Sequence, residues 1–105
     1  MNQSEVQKIS FKMISHAGTA YSLFFKAIET ARTHDYEKAK KLLQEGEDSL
    51  TGAHQAQTDL LIKEARGESM DCSVIMIHAQ DHLMNAILLK GLAKEFIMLY
   101  EKNGG

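Results

Sequence analysis

Hydrophobic residues in the first third of the chain recur at steps of three and four, which is the spacing of one face of an α-helix. Ser4 and Gln7 have the spacing of a capping box, so we expect a helix from about residue 4 to about residue 33. Gly18 lies within this pattern, where glycine costs about 1 kcal/mol relative to alanine, and a close helix crossing would explain it. The stripe consists of Val6, Ile9, Met13, Ala17, Ala20, Phe24, Ala27 and Ala31, and is widened by Tyr21, Phe25 and Ile28.

The pattern is interrupted at residues 33–35, and Asp35 is a good N-cap for a second helix over residues 36–66. Gly67 is the expected left-handed residue at its end. His54 and Gln57 lie on the same side of this helix as its apolar residues, so they are either core polar groups or part of a site. The apolar residues of that side are Ala39, Leu42, Leu43, Gly46, Leu50, Ala53, Leu60 and Leu61.

The third segment is apolar almost all round between Val74 and Leu89. We expect a helix over about residues 70–102, beginning at Ser69 or Asp71, with a frayed end after it. A helix packed on one side alone does not need apolar residues on every face. The third helix is therefore expected to contact neighbours beyond its own chain.

Together, these patterns predict an all-α fold, an antiparallel up-down-up three-helix bundle that forms a single domain over residues 1–105. Each helix of roughly 30 residues would be about 45 Å long at a rise of 1.5 Å per residue. The links between them are short, and no repeat or low-complexity tract divides the chain.

Composition narrows the possible functions. The 105 residues carry a net charge of −2 without a lysine or arginine block, so we expect no nucleic-acid partner. No stretch has the length or the apolar character of a membrane span or a signal peptide, so we expect a cytoplasmic protein with no direct membrane insertion. The single cysteine, Cys72, fits a reducing compartment and is expected to pack rather than react.

The third helix also contains an unusual group of polar side chains. His78 and His82 lie one turn apart on one face, and Asp81 lies on a stripe of apolar residues. A carboxylate buried there without a partner would cost several kcal/mol, so it should have a cation or a proton. The stripe consists of Val74, Ile77, Leu88, Leu92 and Leu99.

Several kinds of chemistry fit a histidine pair with this spacing. The sequence argues against a helical zinc peptidase, because Ala79 stands where such an enzyme has its glutamate base. A pair at i and i+4 is usually a packing or surface feature, or binds metal incidentally. The residues alone therefore leave open a noncatalytic helical oligomerisation or metal-binding module.

The string IHAQDHLM at residues 77–84 resembles the lactose/cellobiose-type enzyme IIA family of the bacterial sugar phosphotransferase system. The block AHQAQT at residues 53–58 and the link at Gly67-Glu68 are also similar to that family, so the resemblance covers nearly the whole chain. It implies a phosphoryl carrier, in which His78 accepts phosphate from the phosphocarrier protein HPr. His78 then passes the group to a cysteine of the cognate IIB component, which drives uptake and phosphorylation of a β-linked disaccharide of the lactose, cellobiose or chitobiose class.

The same resemblance implies roles for the neighbouring residues. His82 and Gln80 would contact the phosphoryl oxygens, although Gln80 lies about 160° from His78 around the helix and would serve a neighbouring subunit's site. Such bundles associate as homotrimers with the third helices central. Three Asp81 carboxylates would then meet at the threefold axis, where we expect one divalent cation shared by three subunits, with Mg²⁺ suited to oxygen ligands.

Overall fold

The computed structural model describes residues 2–68 and 73–104, which form three long helices. Helix α1 spans Gln3–Arg32, α2 spans Tyr36–Ala65 and α3 spans Val74–Gly104. No strand occurs within the described ranges. The predicted all-α, up-down-up three-helix bundle is confirmed.

The start of α1 differs from the predicted capping box. Asn2 is the N-cap, and its side-chain Oδ1 accepts a hydrogen bond from the Glu5 backbone N–H at 2.9 Å. The prediction that Ser4 caps the helix is wrong, because Ser4 already lies within its first turn. Asparagine is as good an N-cap as serine, and spacing alone did not choose between them.

The predicted signals around α2 are confirmed. Asp35 caps its amino terminus, since Asp35 Oδ1 accepts from the Lys38 N–H at 3.2 Å. Gly67 has a φ of 85°, the left-handed conformation expected after a helix. The preceding turn contains one residue that the sequence did not single out, His34, whose φ is 70°.

The beginning of α3 is described from residue 73 onward. Ser73 Oγ accepts a hydrogen bond from the Met76 N–H at 3.3 Å, so its hydroxyl serves an amide of the first turn. The predicted starts at Ser69 or Asp71, and the predicted packing of Cys72, lie outside the described residues.

Helix α3 continues through the first two residues of the predicted frayed end, and Gly105 lies outside the described residues. Asn103 and Gly104 are both helical. The Tyr36 hydroxyl donates to the Tyr100 carbonyl at 3.0 Å and joins the start of α2 to the last turns of α3. A Cβ atom at Gly104 would meet the side chains of Tyr36 and His34, so this end packs closely against the α1–α2 turn.

The core is formed mainly by α1, which packs closely against both other helices, whereas α2 and α3 meet less closely. The predicted stripe of α1 is buried, with Ile9 half-buried at its edge. Three predicted core residues are instead exposed: Tyr21 by 42%, Phe25 by 43% and Leu61 by 56%. They lie at the margins of the apolar faces, where periodicity separates buried from exposed positions least sharply.

The close helix crossings occur at two glycines of α2. A Cβ atom at Gly46 would lie 2.5 Å from Cε1 of Phe24, and one at Gly52 would lie 2.8 Å from Nδ1 of His16. The prediction that Gly18 marks a close crossing is wrong, because a Cβ atom at Gly18 would meet nothing within 4 Å.

Two ion pairs on the surface join α2 and α3. Lys40 forms an ion pair with Glu101 and Lys94 forms one with Glu47, each at 3.0 Å. Residue numbers rise along α2 as those of their partners fall along α3, so the two helices are antiparallel. Within the described ranges, no helix is both long enough and apolar enough to cross a membrane.

Candidate functional site

His78 and His82 are in direct contact on successive turns of α3. Their Nε2 atoms lie 3.0 Å apart, and their ring centroids are separated by 4.4 Å with the rings inclined at 75°. His78 is exposed, while His82 is half-buried. Because a hydrogen bond needs a donor and an acceptor, one Nε2 carries the shared proton and the other offers its lone pair.

A pocket of about 260 Å³ adjoins His82 on the side of α1. Its lining consists of Gly18, Tyr21, Asp81, His82 and Asn85. The pocket therefore connects His82, which we predict to be a site residue, with two residues of α1 and with the carboxylate of Asp81.

Asp81 is exposed, and its Oδ2 accepts a hydrogen bond from the Asn85 side-chain amide at 3.3 Å. Its carboxylate is a suitable ligand for a hard divalent cation, which prefers six or more oxygen ligands. Nowhere in residues 2–68 and 73–104 do three His, Cys, Asp or Glu side chains come close enough to hold a metal. Among the described residues, Asp81 thus supplies one carboxylate of the several oxygen ligands that such a cation takes, and carboxylates of other chains would have to supply more of them.

The apolar stripe around Asp81 lies on the outer surface of α3. Val74 is 83% exposed and Leu88 is 63% exposed, and Ile77, Leu92 and Leu99 are exposed as well. Such a continuous apolar face is typical of an interaction surface. The prediction that α3 has neighbours beyond its own chain stays a prediction, and this face is where they would lie.

Gln80 lies on a different side of α3 from the histidine pair. Its Oε1 accepts a hydrogen bond from Nε2 of Gln57 on α2 at 2.7 Å, and both side chains are half-buried. The sequence left open whether His54 and Gln57 are core polar groups or part of a site. In the structure, Gln57 joins α2 to Gln80, a predicted site residue, and His54 is exposed. The single chain brings together His78, His82 and Asp81, and keeps Gln80 apart from them.

Three residues beside the site were not predicted. Gly18 and Tyr21 come from α1, and only the packing of α1 on α3 brings them to His82. Asn85 follows Asp81 by four residues, a spacing at which helical side chains meet, so that neighbour was accessible from the sequence.

Comparison with known proteins identifies the family to which this chain belongs. The family model of the lactose/cellobiose-specific IIA subunit of the phosphotransferase system matches residues 8–101 of the sequence. The chain belongs to this family and is therefore a IIA component, a transferase component of the phosphotransferase system.

Similar proteins match nearly the whole length of the chain in sequence and in structure. The lactose-specific EIIA component of Staphylococcus epidermidis is 44% identical over 102 residues, which cover 97% of this chain and 98% of that protein. The crystal structure of PtcA from Streptococcus mutans has a TM-score of 0.94 at 42% identity and covers 96% of this chain and 99% of its own.

A third similar structure contains a partner protein. It is the IIA(Chitobiose)–HPr complex of the N,N'-diacetylchitobiose branch of the Escherichia coli phosphotransferase system. Its IIA chain has a TM-score of 0.78 at 31% identity, with coverage of 95% of this chain and 97% of that one.

Proposed function

We propose that this IIA component is a phosphoryl carrier that works through His78. In this proposal, Nε2 of His78 takes the phosphoryl group from HPr and then yields it to a cysteine of the cognate IIB component. The observation that carries it is the exposed His78 ring, whose Nε2 lies 3.0 Å from that of His82.

The chemistry of imidazole suits a carrier. Neutral imidazole is nucleophilic near pH 7, and the phosphorus–nitrogen bond that it forms is reactive enough to pass the group onward. No Lys or Arg occurs between Val74 and Leu89. This segment of α3 therefore contributes no strong cationic contact to the phosphoryl group. Such a contact would retain the group, which has to leave.

His82 is the proposed hydrogen-bond donor to the phosphoryl group. Its Nε2 already lies next to the nitrogen that would be phosphorylated, so an N–H there would reach a phosphoryl oxygen after a small movement. A hydrogen bond to a charged oxygen is stronger than one between neutral groups, and it would stabilise the group in transfer.

Gln80 is proposed to serve the site of a neighbouring subunit. Since Gln57 donates to Gln80 Oε1, the side-chain NH₂ of Gln80 keeps its donors for another acceptor. Gln80 lies about 160° from His78 around α3, which disfavours a contact with His78 of the same chain. A phosphoryl oxygen on an adjacent subunit is the acceptor that we propose.

We propose a homotrimer in which the α3 helices are central and the exposed stripe around Asp81 forms the seam. Three Asp81 carboxylates would meet there and repel one another, and one divalent cation such as Mg²⁺ would neutralise them. The apolar side chains exposed along α3 support this arrangement, because association would remove them from water.

The proposed partners follow from the family and from the similar complex. The Escherichia coli relative forms a complex with HPr, which supports HPr as the phosphoryl donor here. The IIB component is the acceptor, and exchange with these proteins favours a cytoplasmic location. The transported sugar is proposed to be a β-linked disaccharide, since the relatives' names include lactose and N,N'-diacetylchitobiose.

Labelling with phosphorylated HPr tests the carrier function. Wild type should take up one phosphoryl group per chain in an acid-labile, base-stable bond, as expected for phosphohistidine, and His78→Ala should take up none. His54→Ala is the matched control, because His54 is exposed on α2, and it should label like wild type. Stoichiometric labelling of His78→Ala would leave the noncatalytic module as the better explanation.

A further inference from the structure

Gln57 and Gln80 form a side-chain contact between two well-packed helix segments. Nε2 of Gln57 donates to Oε1 of Gln80 at 2.7 Å, and both side chains are half-buried. Ala56 beside Gln57 is 4% exposed and Ala79 beside Gln80 is fully buried, so the core holds the backbone on both sides of the contact. The contact lies within one chain, and it does not depend on what covers the outer face of α3.

The direction of this hydrogen bond fixes the direction of the Gln80 amide. One branch of a glutamine amide only accepts, and the other only donates. Since Oε1 of Gln80 is turned toward Gln57, the NH₂ group of Gln80 is directed away from it. Turning Gln80 over alone would set two NH₂ groups against each other and break the bond.

A phosphoryl group favours the orientation that the structure has. Both amides could turn over together and keep one hydrogen bond, but the oxygen of Gln80 would then be the outer branch. Phosphoryl oxygens are acceptors only, so they bind an outer NH₂ group and repel an outer carbonyl oxygen. Gln57 thus presents Gln80 as a donor.

The acceptor belongs to another chain. Gln80 lies about 160° around α3 from both His78 and His82, and Gln57 approaches it from α2. The histidine pair of the same chain is therefore on the far side of the helix from this amide pair.

We propose that Gln57 is a positioning residue for phosphoryl transfer at the site of an adjacent subunit. It holds the Gln80 amide so that the NH₂ group of Gln80 donates to the phosphoryl group on His78 of the partner subunit. Gln57 does not touch that group and acts through Gln80. This role rests on the carrier function and on the trimer proposed above.

A purely structural role for the same contact makes different predictions. In that case, the hydrogen bond only joins α2 to α3 within one chain. Any slowing of transfer would follow from loss of the bond, whatever side chain replaced Gln57. An intact neighbouring chain would not reverse that slowing.

The first test changes the polarity at position 57 and measures single-turnover phosphorylation by phospho-HPr. Gln57→Met removes the hydrogen bond at similar side-chain length and should slow transfer by about fivefold, because the Gln80 amide loses its preferred orientation. Gln57→Glu should slow transfer by about tenfold or more, since a carboxylate only accepts and would turn the oxygen of Gln80 toward the phosphoryl group. Gln57→Glu should therefore also be slower than Gln80→Ala.

Gln55 provides the matched controls. It is exposed on α2, about 160° around the helix from Gln57, so the same substitutions there add the same groups away from Gln80. Gln55→Met and Gln55→Glu should react like wild type. In a Gln80→Ala background, Gln57→Met should cause no further slowing, because the residue through which Gln57 acts is gone.

Mixed trimers test the action on an adjacent subunit. Gln57→Glu chains are co-expressed with an excess of His78→Ala chains, which keep Gln57 and Gln80 but lack the phosphorylated residue. Only the Gln57→Glu chains can then be labelled, and most of them have an unaltered amide pair beside them. Their transfer rate should return close to that of wild type, whereas an excess of chains with both His78→Ala and Gln80→Ala should not restore it.

Three results would overturn this role. Transfer at the wild-type rate in both Gln57 variants would leave the contact a structural one, and so would slowing that the His78→Ala chains do not reverse. Slowing of Gln57→Met that persists without the Gln80 amide would exclude action through Gln80. Should Gln57→Glu not fold, as judged by circular dichroism, Gln57→Met enters the mixed trimers instead, because it adds no charge. Failure of wild type to be labelled at all would instead contradict the proposed carrier function.

Discussion

At the scale of single residues, the histidine pair matters because its two members differ in exposure and in surroundings. His78 is exposed, whereas His82 is half-buried and borders the pocket lined by Gly18 and Tyr21. The exposed ring is accessible to a partner protein, and the half-buried ring is held beside it. This difference suits a nucleophile and its hydrogen-bonding neighbour.

Removing the second imidazole tests that division of roles. His82→Ala should keep the fold, because alanine is favoured in helices, and should slow phosphoryl transfer from HPr by about tenfold or more through loss of a donor. Rapid-quench kinetics measure the rate, and circular dichroism measures the fold. His54→Ala is the control, and transfer by His82→Ala at the wild-type rate would exclude His82 from the reaction.

At the scale of the helices, the glycines of α1 and α2 have opposite surroundings. Gly46 lies against the fully buried ring of Phe24, so α1 and α2 approach closely there. Gly18 faces the open pocket instead. Helical periodicity assigned both glycines to apolar faces. It could not show which glycine packs against another helix and which one faces a pocket.

The same substitution at these two glycines should therefore change stability in opposite directions. Gly18→Ala should raise the free energy of unfolding by up to about 1 kcal/mol, because alanine favours the helix and the new methyl meets no atom. Gly46→Ala should lower it by about 1 kcal/mol, since overpacking against Phe24 outweighs the gain in helix propensity.

Chemical denaturation of both variants in parallel measures the two changes. Each variant serves as the control for the other, because the gain in intrinsic helix propensity is the same. Changes of the same sign would show that helix propensity alone governs these positions. The Phe24 contact and the open space at Gly18 would then have no effect on stability.

At the scale of the whole molecule, α3 is notable because one chain alone leaves an apolar stripe of this helix exposed. Its inner side packs into the bundle through residues such as Leu83 and Ala86, while the stripe from Val74 to Leu99 is exposed. Asp81 lies within this exposed stripe. The proposed trimer would bury the stripe and bring three carboxylates together.

Analytical ultracentrifugation with and without a chelator tests the trimer and its cation. Chelation should weaken wild-type association by about tenfold or more, because the cation binds the assembled state only. Asp81→Leu should stay trimeric in excess chelator, since replacing buried ionic groups by apolar ones of similar size is often neutral or stabilising.

Asp59→Leu is the matched control, because Asp59 is an exposed carboxylate on α2, away from the proposed seam. It should remain as sensitive to chelation as wild type. A wild-type protein that is monomeric under all conditions would contradict the trimer. Dissociation of Asp81→Leu would show that Asp81 does not lie at a shared axis.

The sequence by itself determined the fold class, the caps at Asp35 and Gly67, and the proximity of His78 to His82. These features depend on neighbours within a few residues, and helical periodicity fixes such neighbours. The first cap was placed at Ser4 instead of Asn2, because both residue types cap helices well and local spacing does not rank them.

Only the tertiary structure decided which residues of different helices meet. It brought Gly18 and Tyr21 of α1 beside His82, and it joined Gln57 to Gln80 across the α2–α3 contact. Such contacts depend on the rotation and the offset of one packed helix against another. A periodic pattern gives the buried face of each helix but not that offset, so the same sequence pattern is compatible with several pairings.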